Sequence, residues 1–100
     1  MTEELLPIEL EEQGENGRYV LRGPDGAEAE MTFTKVGAHK LVINHTGVPE
    51  AFRGQGAGVR LVTRAVEDAR LSGRKILPLC PFAAAQFRRH PEWADVLAEK

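Results

Sequence analysis

The stretch RGQGAG, residues 53–58, places three glycines at alternate positions directly before a long amphipathic run. Glycine lets the backbone curl tightly and leaves no Cβ between the chain and a ligand. Amides at the start of a helix lack intrahelical partners and carry partial positive charge, so such a turn can hold a phosphate group. Arg53 adds a fixed positive charge at the start of the turn. The pattern therefore predicts either a phosphate-binding loop or a tight strand-to-helix turn without a ligand.

Two well-known phosphate-binding loops differ from this pattern. A P-loop requires Lys and then Ser or Thr after its last glycine, whereas Val59 and Arg60 follow here. A dinucleotide-binding fingerprint requires G-x-G-x-x-G within a βαβ unit, and the spacing here is G-x-G-x-G. Both nucleotide-binding classes are therefore disfavoured.

Cys80 and His45 are the residues with the most useful chemistry. Cys80 ends the apolar run KILPLC, and Pro81 favours a helix start directly after it. A cysteine at a helix N-terminus is favoured as the reactive thiolate, although free cysteines are also often buried as small apolar residues. His45 lies in LVINHTGV, and a neutral imidazole there could accept a proton near pH 7 or be a hydrogen-bonded core residue. Both interpretations stay open for each residue.

The other candidates are predicted to have structural roles. His90 is expected to cap or pack, and His39 to lie solvated in a turn. No metal site is expected, because the cysteine and the histidines lack close ligand spacing. Two adjacent cations are expected to face solvent, with a phosphate contact as the alternative: Arg88 and Arg89. Three aromatic residues at helical spacing are expected in the core rather than at a cofactor: Phe82, Phe87 and Trp93.

Composition narrows the class of protein. The 100 residues are enough for one two-layered domain, and the 42 % hydrophobic and 28 % charged residues are typical of a globular protein. A net charge of −2 makes nucleic acid a poor partner. No apolar run approaches the roughly 18 residues of a membrane span. The single cysteine and the acidic N-terminal segment, which does not resemble a signal peptide, indicate a reducing, cytoplasmic location.

Hydrophobic periodicity predicts the elements that position these residues. Alternation predicts strands over 17–22, 27–36 and 41–48, with a turn at GPDG, residues 23–26. In the last of these strands, Leu41, Ile43 and His45 are expected to share one face.

The second half of the chain changes to a helical period. Apolar residues recur on one face of a helix over 57–71, which Gly73 ends, and KILPLC, residues 75–80, predicts a short strand. A shorter helix follows from Pro81 until Pro91 stops it. The order β-β-β-α-β-α predicts an α/β (α+β) fold. We expect an antiparallel meander and then a strand parallel to 41–48, with helices covering a mixed sheet.

Several ordered blocks resemble one enzyme family. Arg53-x-x-Gly56-x-Gly58 is similar to the acetyl-CoA pyrophosphate loop of the GCN5-related N-acetyltransferases. The blocks HTGVPEAFRGQGAG, PLCPF and RRHPEWADVL resemble a small single-domain subfamily, the YjdJ-like acetyltransferases, over about residues 17–97. The resemblance implies one domain over 1–100 with a trimmed version of the superfamily fold, lacking the helices between the first two strands.

The resemblance also implies an activity and a cofactor site. It implies transfer of an acetyl group from acetyl-CoA to an amine, either a small molecule or a protein lysine, by a monomer or homodimer. Val48 would contact the pantetheine arm through its backbone. Five amides would take the pyrophosphate beside Arg53: those of Gly54, Gln55, Gly56, Ala57 and Gly58. Cys80 and His45 are the catalytic candidates.

Two positions depart from the subfamily pattern. Many members carry glutamate where this chain has Gly47, and many have tyrosine where it has Gln86. A carboxylate would be a natural base and a tyrosine a natural acid for acetyl transfer. The alternative function is therefore a non-catalytic module that binds CoA or acyl-CoA, or a partner subunit.

Overall fold

The computed structural model describes residues 7–23, 26–52 and 54–98. A single five-stranded sheet runs in the order β1-β2-β3-β4-β5. The first four strands pair antiparallel, and β5 pairs parallel with β4. The elements are β1 (Glu9–Gln13), β2 (Asn16–Arg22), β3 (Glu28–Val36), β4 (Lys40–Gly47), α1 (Ala57–Ser72), β5 (Lys75–Pro78) and α2 (Pro81–Arg89), with 3₁₀ turns at Glu50–Phe52 and Pro91–Val96.

Most of the predicted elements are confirmed. The three strands of the meander, the parallel strand and both helices lie where the periodicity places them. Gly73 ends α1 in the left-handed conformation, with φ of 76°. The predicted turn at 23–26 includes residues 24–25, which lie outside the described part of the chain.

The edge strand β1 is a feature that the sequence did not predict. All five of its residues are exposed, and they lack the apolar alternation of a half-buried strand. It is held by a full antiparallel ladder to β2 and by side-chain ion pairs instead. Because this strand is stabilised by its pairing with β2, the sequence of the segment alone does not indicate a strand.

One face of the sheet carries the core. The alternating residues Ala29, Met31 and Phe33 of β3 are buried, each at most 1 % exposed. The apolar stripe of α1 packs on them together with α2 and the C-terminal 3₁₀ turn. This inner face therefore holds all the helices.

The outer face of the sheet is charged. Arg18 and Arg22 of β2 form ion pairs with four carboxylates from β1 and β3: Glu9, Glu11, Glu28 and Glu30. Val20 lies on the same face between the two arginines and is fully buried. Its cross-strand neighbours are Glu9 and Glu30, and the aliphatic parts of these two glutamate side chains and of the flanking arginines cover it.

An irregularity between β3 and β4 decides which residues of β4 face inward. Phe33 pairs with Ile43, but the preceding Thr32 pairs with His45, so one extra residue lies in β4. Such a bulge reverses the alternation of side chains. The prediction that His45 shares the face of Ile43 is therefore wrong: His45 is exposed on the outer face, and Thr46 turns inward.

Candidate active site

A slot opens where β4 and β5 part. The two strands pair at only four positions, from Lys40–Lys75 to Ile43–Pro78. The amides of Leu79 and Cys80 then both donate to the Ile43 carbonyl, at 3.0 and 3.3 Å, and the chain turns into α2. Beyond Ile43, β4 continues to Gly47 beside β3 but away from β5. The opening thus lies between the second half of β4 and the start of α2.

The glycine loop lies at the same edge of the sheet. Gly54 and Gly56 have φ of 77° and 68°, a region that other residues rarely adopt. An added Cβ would meet nothing within 4 Å at either position, so the space outside the loop is open. The Gln55 amide donates to the carbonyl of buried Phe52 at 3.1 Å and ties the loop to the 3₁₀ turn before it.

The start of α1 presents an anion-binding end. Gly56 is the N-cap, and its carbonyl accepts from the Arg60 amide at 3.0 Å. The amides of Ala57 and Gly58 follow, in a first turn that contains no acidic residue. Helix geometry leaves such amides without intrahelical acceptors. Arg53, predicted to contribute its charge here, lies outside the described residues.

The third glycine of the loop, Gly58, allows close packing between two helices. Gly58 is buried, and a Cβ there would lie 2.6 Å from Cζ of Phe82. This contact joins the second residue of α1 to the second residue of α2, so the two helix N-termini lie side by side. Phe82 is 37 % exposed, and its predicted place in the core is wrong; Phe87 and Trp93 are buried as predicted.

Cys80 is the N-cap of α2 and lies 5 % exposed at the inner side of the slot. Its Sγ lies 3.4 Å from Oγ1 of Thr46, the residue that the bulge turns inward. Burial raises the pKa of the Cys80 thiol, but the Thr46 hydroxyl and the first-turn amides of Phe82 and Ala83 together outweigh it. The pKa therefore lies below its ordinary value, which makes this thiol both a better acid and a better nucleophile.

The two catalytic candidates are on opposite faces of β4. His45 shares the outer face with Gly47, and a Cβ on Gly47 would lie 3.3 Å from its Nε2. Sequence reasoning missed Thr46 as the residue facing Cys80, since no pattern in NHTG marks a bulge. Gln86, the second position singled out in the sequence, is 4 % exposed within α2.

The remaining candidates occupy structural or solvent-exposed positions. The His90 ring stacks on Trp93 with centroids 4.1 Å apart, its Nδ1 lies 2.9 Å from a Glu92 carboxylate oxygen, and its amide donates to Phe87. This confirms the predicted packing role. Three residues predicted to be solvated are exposed: His39, Arg88 and Arg89.

Apolar side chains surround the slot. Val48 directly after β4, Leu79 after β5 and Phe82 on α2 are 42, 62 and 37 % exposed. A partly open cavity of about 190 Å³ lies elsewhere, between the sheet and the C-terminal half of α1, and none of these residues lines it. These three exposed side chains and buried Cys80 therefore lie on the elements that border the slot.

The chain belongs to the GCN5-related N-acetyltransferase family, whose sequence profile matches residues 18–96. This confirms the predicted superfamily, and with it an enzyme of the N-acetyltransferase class. The structure is similar to the NMR solution structure of a GCN5-like candidate N-acetyltransferase from Staphylococcus aureus. The two share 30 % identity with a TM-score of 0.70, over 90 % of this chain and 87 % of that one.

A second solved structure supports the fold. The crystal structure of nourseothricin acetyltransferase is 24 % identical with a TM-score of 0.59, and the match covers 76 % of this chain and 49 % of that one. The predicted mixed α+β fold is thereby confirmed. No protein of curated function matches the sequence. Within the described residues, no helix has the length and apolar character to cross a membrane.

Proposed function

We propose that the protein transfers an acetyl group from acetyl-CoA to a primary amine at the slot between β4 and α2. The observation that carries this proposal is the convergence of two helix N-termini at one edge of the sheet. The glycine loop begins one helix and Cys80 begins the other. Ligands of open α/β sheets bind at such carboxyl edges of parallel strands.

The residues present fit this cofactor. The open space outside Gly54 and Gly56 and the first-turn amides of Ala57 and Gly58 suit a pyrophosphate. The Gln55 amide is not free to bind a phosphate, because it already donates to the Phe52 carbonyl, and it stabilises the shape of the loop instead. Val48, at the free end of β4, would contact the pantetheine arm through its backbone. When bound, acetyl-CoA supplies an activated acetyl thioester.

Cys80 is assigned as the proton donor of a direct transfer. The amine loses a proton and its nitrogen forms the new C–N bond at the carbonyl carbon, the C–S bond breaks, and the Cys80 proton passes to the departing sulfur. A lowered thiol pKa suits this step, since the proton leaves more readily. Solvent then restores the thiol. His45 is assigned as the group that accepts the amine proton.

Calorimetric titration with acetyl-CoA and a thiol-release assay with a panel of amines test this function. We expect binding, turnover, and a strong loss of turnover in Cys80→Ala while cofactor binding is kept. Cys80→Ser separates chemistry from packing, because the hydroxyl is nearly isosteric but a much weaker acid. Absence of binding at millimolar acetyl-CoA would refute the cofactor.

Gly47 has no carboxylate and Gln86 has no phenol, so neither residue can supply the base or the acid expected for acetyl transfer. These two positions support an alternative function, a module that binds CoA without useful turnover. Tight binding without thiol release for any amine would support it. Mass spectrometry of protein incubated with acetyl-CoA separates direct transfer from an acetyl-cysteine route, since only the latter adds one acetyl group to Cys80.

We also place the protein among the YjdJ-like acetyltransferases, as one domain acting in the cytoplasm. The blocks around Gly56, Cys80 and His90 support the subgroup, and the single cysteine and acidic composition support the location. Fractionation of cells producing the full chain would test the location.

A further inference from the structure

The geometry points to a pocket on the outer face beside Gly47 as the acceptor site, with Glu30 selecting a cationic primary alkylamine. This inference rests on the proposed acetyl transfer and names its second substrate class. The pocket measures about 420 Å³ and is open to solvent, a size suited to a small molecule or one long side chain. It is lined by Arg18, Glu28, Glu30, Gly47, Val48 and Pro49.

The position of the pocket connects it to the reaction. Two of its lining residues are Gly47, the last residue of β4, and Val48, which follows it, where β4 has parted from β5. Because the sheet is open there, a ligand on the outer face and a thioester beside Cys80 can approach from opposite sides of β4. The amine would thus arrive from the face opposite the helices that the structure describes.

Glu30 provides a carboxylate where the subfamily glutamate is missing. It is the direct cross-strand partner of Gly47, and such partners have Cβ positions about 4.5–5.5 Å apart on one face. Gly47 has no side chain, so the space above it is left to the ligand. Glu30 therefore provides a carboxylate on the neighbouring strand, in the pocket that Gly47 also lines.

The surrounding charges favour a cation. Arg18 lies 2.8 Å from Glu30 and 3.4 Å from Glu28, and 2.8 Å from Glu11, which lies outside the pocket. Across this face, two guanidinium groups share four carboxylates, so the group keeps two net negative charges. An ammonium group can therefore bind Glu30 without displacing Arg18 from all its partners.

His45 completes the site on the same face. Its Nε2 lies close enough to Gly47 that a Cβ there would be only 3.3 Å away. The imidazole and the Glu30 carboxylate thus flank Gly47 from two strands. Glu30 holds the ammonium form, which releases one proton to solvent. The neutral amine then forms the C–N bond described above, and His45 takes the second proton, which the nitrogen loses in that step.

An NMR titration tests the pocket without requiring turnover. The probe is 1,5-diaminopentane, which matches the length and charge of a lysine side chain, and the uncharged control is 1,5-pentanediol. We expect saturable shifts at the Gly47 and Val48 amides with the diamine only. A capped lysine peptide is titrated in the same way. If it binds as tightly as the diamine, the pocket is assigned to protein lysines; if the diamine binds more tightly, the pocket is assigned to small amines. Either result supports the selection of a cation.

Glu30→Gln and Glu11→Gln form a matched pair, because each removes a carboxylate 2.8 Å from Arg18 and only Glu30 lines the pocket. We expect about a fivefold weaker diamine affinity in Glu30→Gln, the size of a partly exposed ion pair, and no change in Glu11→Gln. Equal effects of the two variants, equal binding of the diol, or no shift at Gly47 would overturn the inference. Calorimetry with acetyl-CoA on the same samples shows separately whether the cofactor assignment holds.

Discussion

The left-handed conformation of Gly56 makes a sharp test of the phosphate loop, because Gly37 provides a matched control. Gly56 has φ of 68° at the start of α1, and Gly37 has φ of 64° in the turn between β3 and β4. A Cβ at either position would meet nothing within 4 Å. Alanine at each site therefore introduces backbone strain without a steric clash.

The two variants should lose similar stability. An L-residue in this region costs about 1–2 kcal/mol of unfolding free energy. For a domain of this size, each kcal/mol lowers the Tm by roughly 4–8 °C. Only Gly56→Ala should change cofactor binding, because relief of the strain turns the first-turn amides away from the ligand. Losing one amide–phosphate hydrogen bond, worth about 1.5–3 kcal/mol, weakens affinity tenfold or more.

Thermal unfolding and acetyl-CoA calorimetry on both variants make the comparison. Gly56→Asn should recover part of the stability and affinity, since asparagine tolerates positive φ better than alanine. Equal weakening of acetyl-CoA binding by Gly37→Ala would show that the effect is general destabilisation. Unchanged affinity in a destabilised Gly56→Ala protein would refute the loop's assigned role.

Three further predictions follow from described contacts. Gly58→Ala should destabilise the wild-type protein but be neutral or favourable in a Phe82→Ala background, where the ring has been removed. Denaturant unfolding of the double-mutant cycle should give a coupling energy of about 1–3 kcal/mol. Unfolding free energies that add within about 0.5 kcal/mol would contradict this contact. Thiolate absorbance should titrate at Cys80 below the ordinary thiol pKa, and Thr46→Val should move the midpoint upward; an unmoved midpoint would exclude the hydroxyl as a cause. Tyr19→Phe removes a 2.8 Å hydrogen bond to an α1 carboxylate and should cost about 1 kcal/mol of unfolding free energy, and an unchanged denaturant midpoint would count against that bond.

The predictable part of the fold consists of elements with local signals. The strand β3 shows strict alternation through Met31 and Phe33, and α1 shows an apolar stripe with Gly73 at its end. Each signal lies within one segment, so one sequence was enough to place it. The strand β1 lacks such a signal, because its five exposed residues are held by pairing and by ion pairs with β2.

The candidate site was predictable in its parts and unpredictable in their arrangement. The residue types and spacing of the glycine loop and of Cys80-Pro81 predicted two helix starts, and the structure places the starts of α1 and α2 there. His45 was placed on the wrong face, because the alternation assumed an unbroken strand. The contact of Gly58 with the ring of Phe82 was not predicted, because it joins two helices that are distant in sequence.

The sequence by itself determined the family, the order of the elements from β2 onward, and the glycine loop and Cys80 at the starts of two helices, since these depend on residue types at short spacing. Only the tertiary structure decided which groups face one another. The bulge opposite Thr32 turns Thr46 toward Cys80 and His45 away from it. Cross-strand register brings Glu30 beside Gly47, seventeen positions later in the chain. Register and bulges arise from pairing between distant segments, so periodicity within a segment carries no information about them.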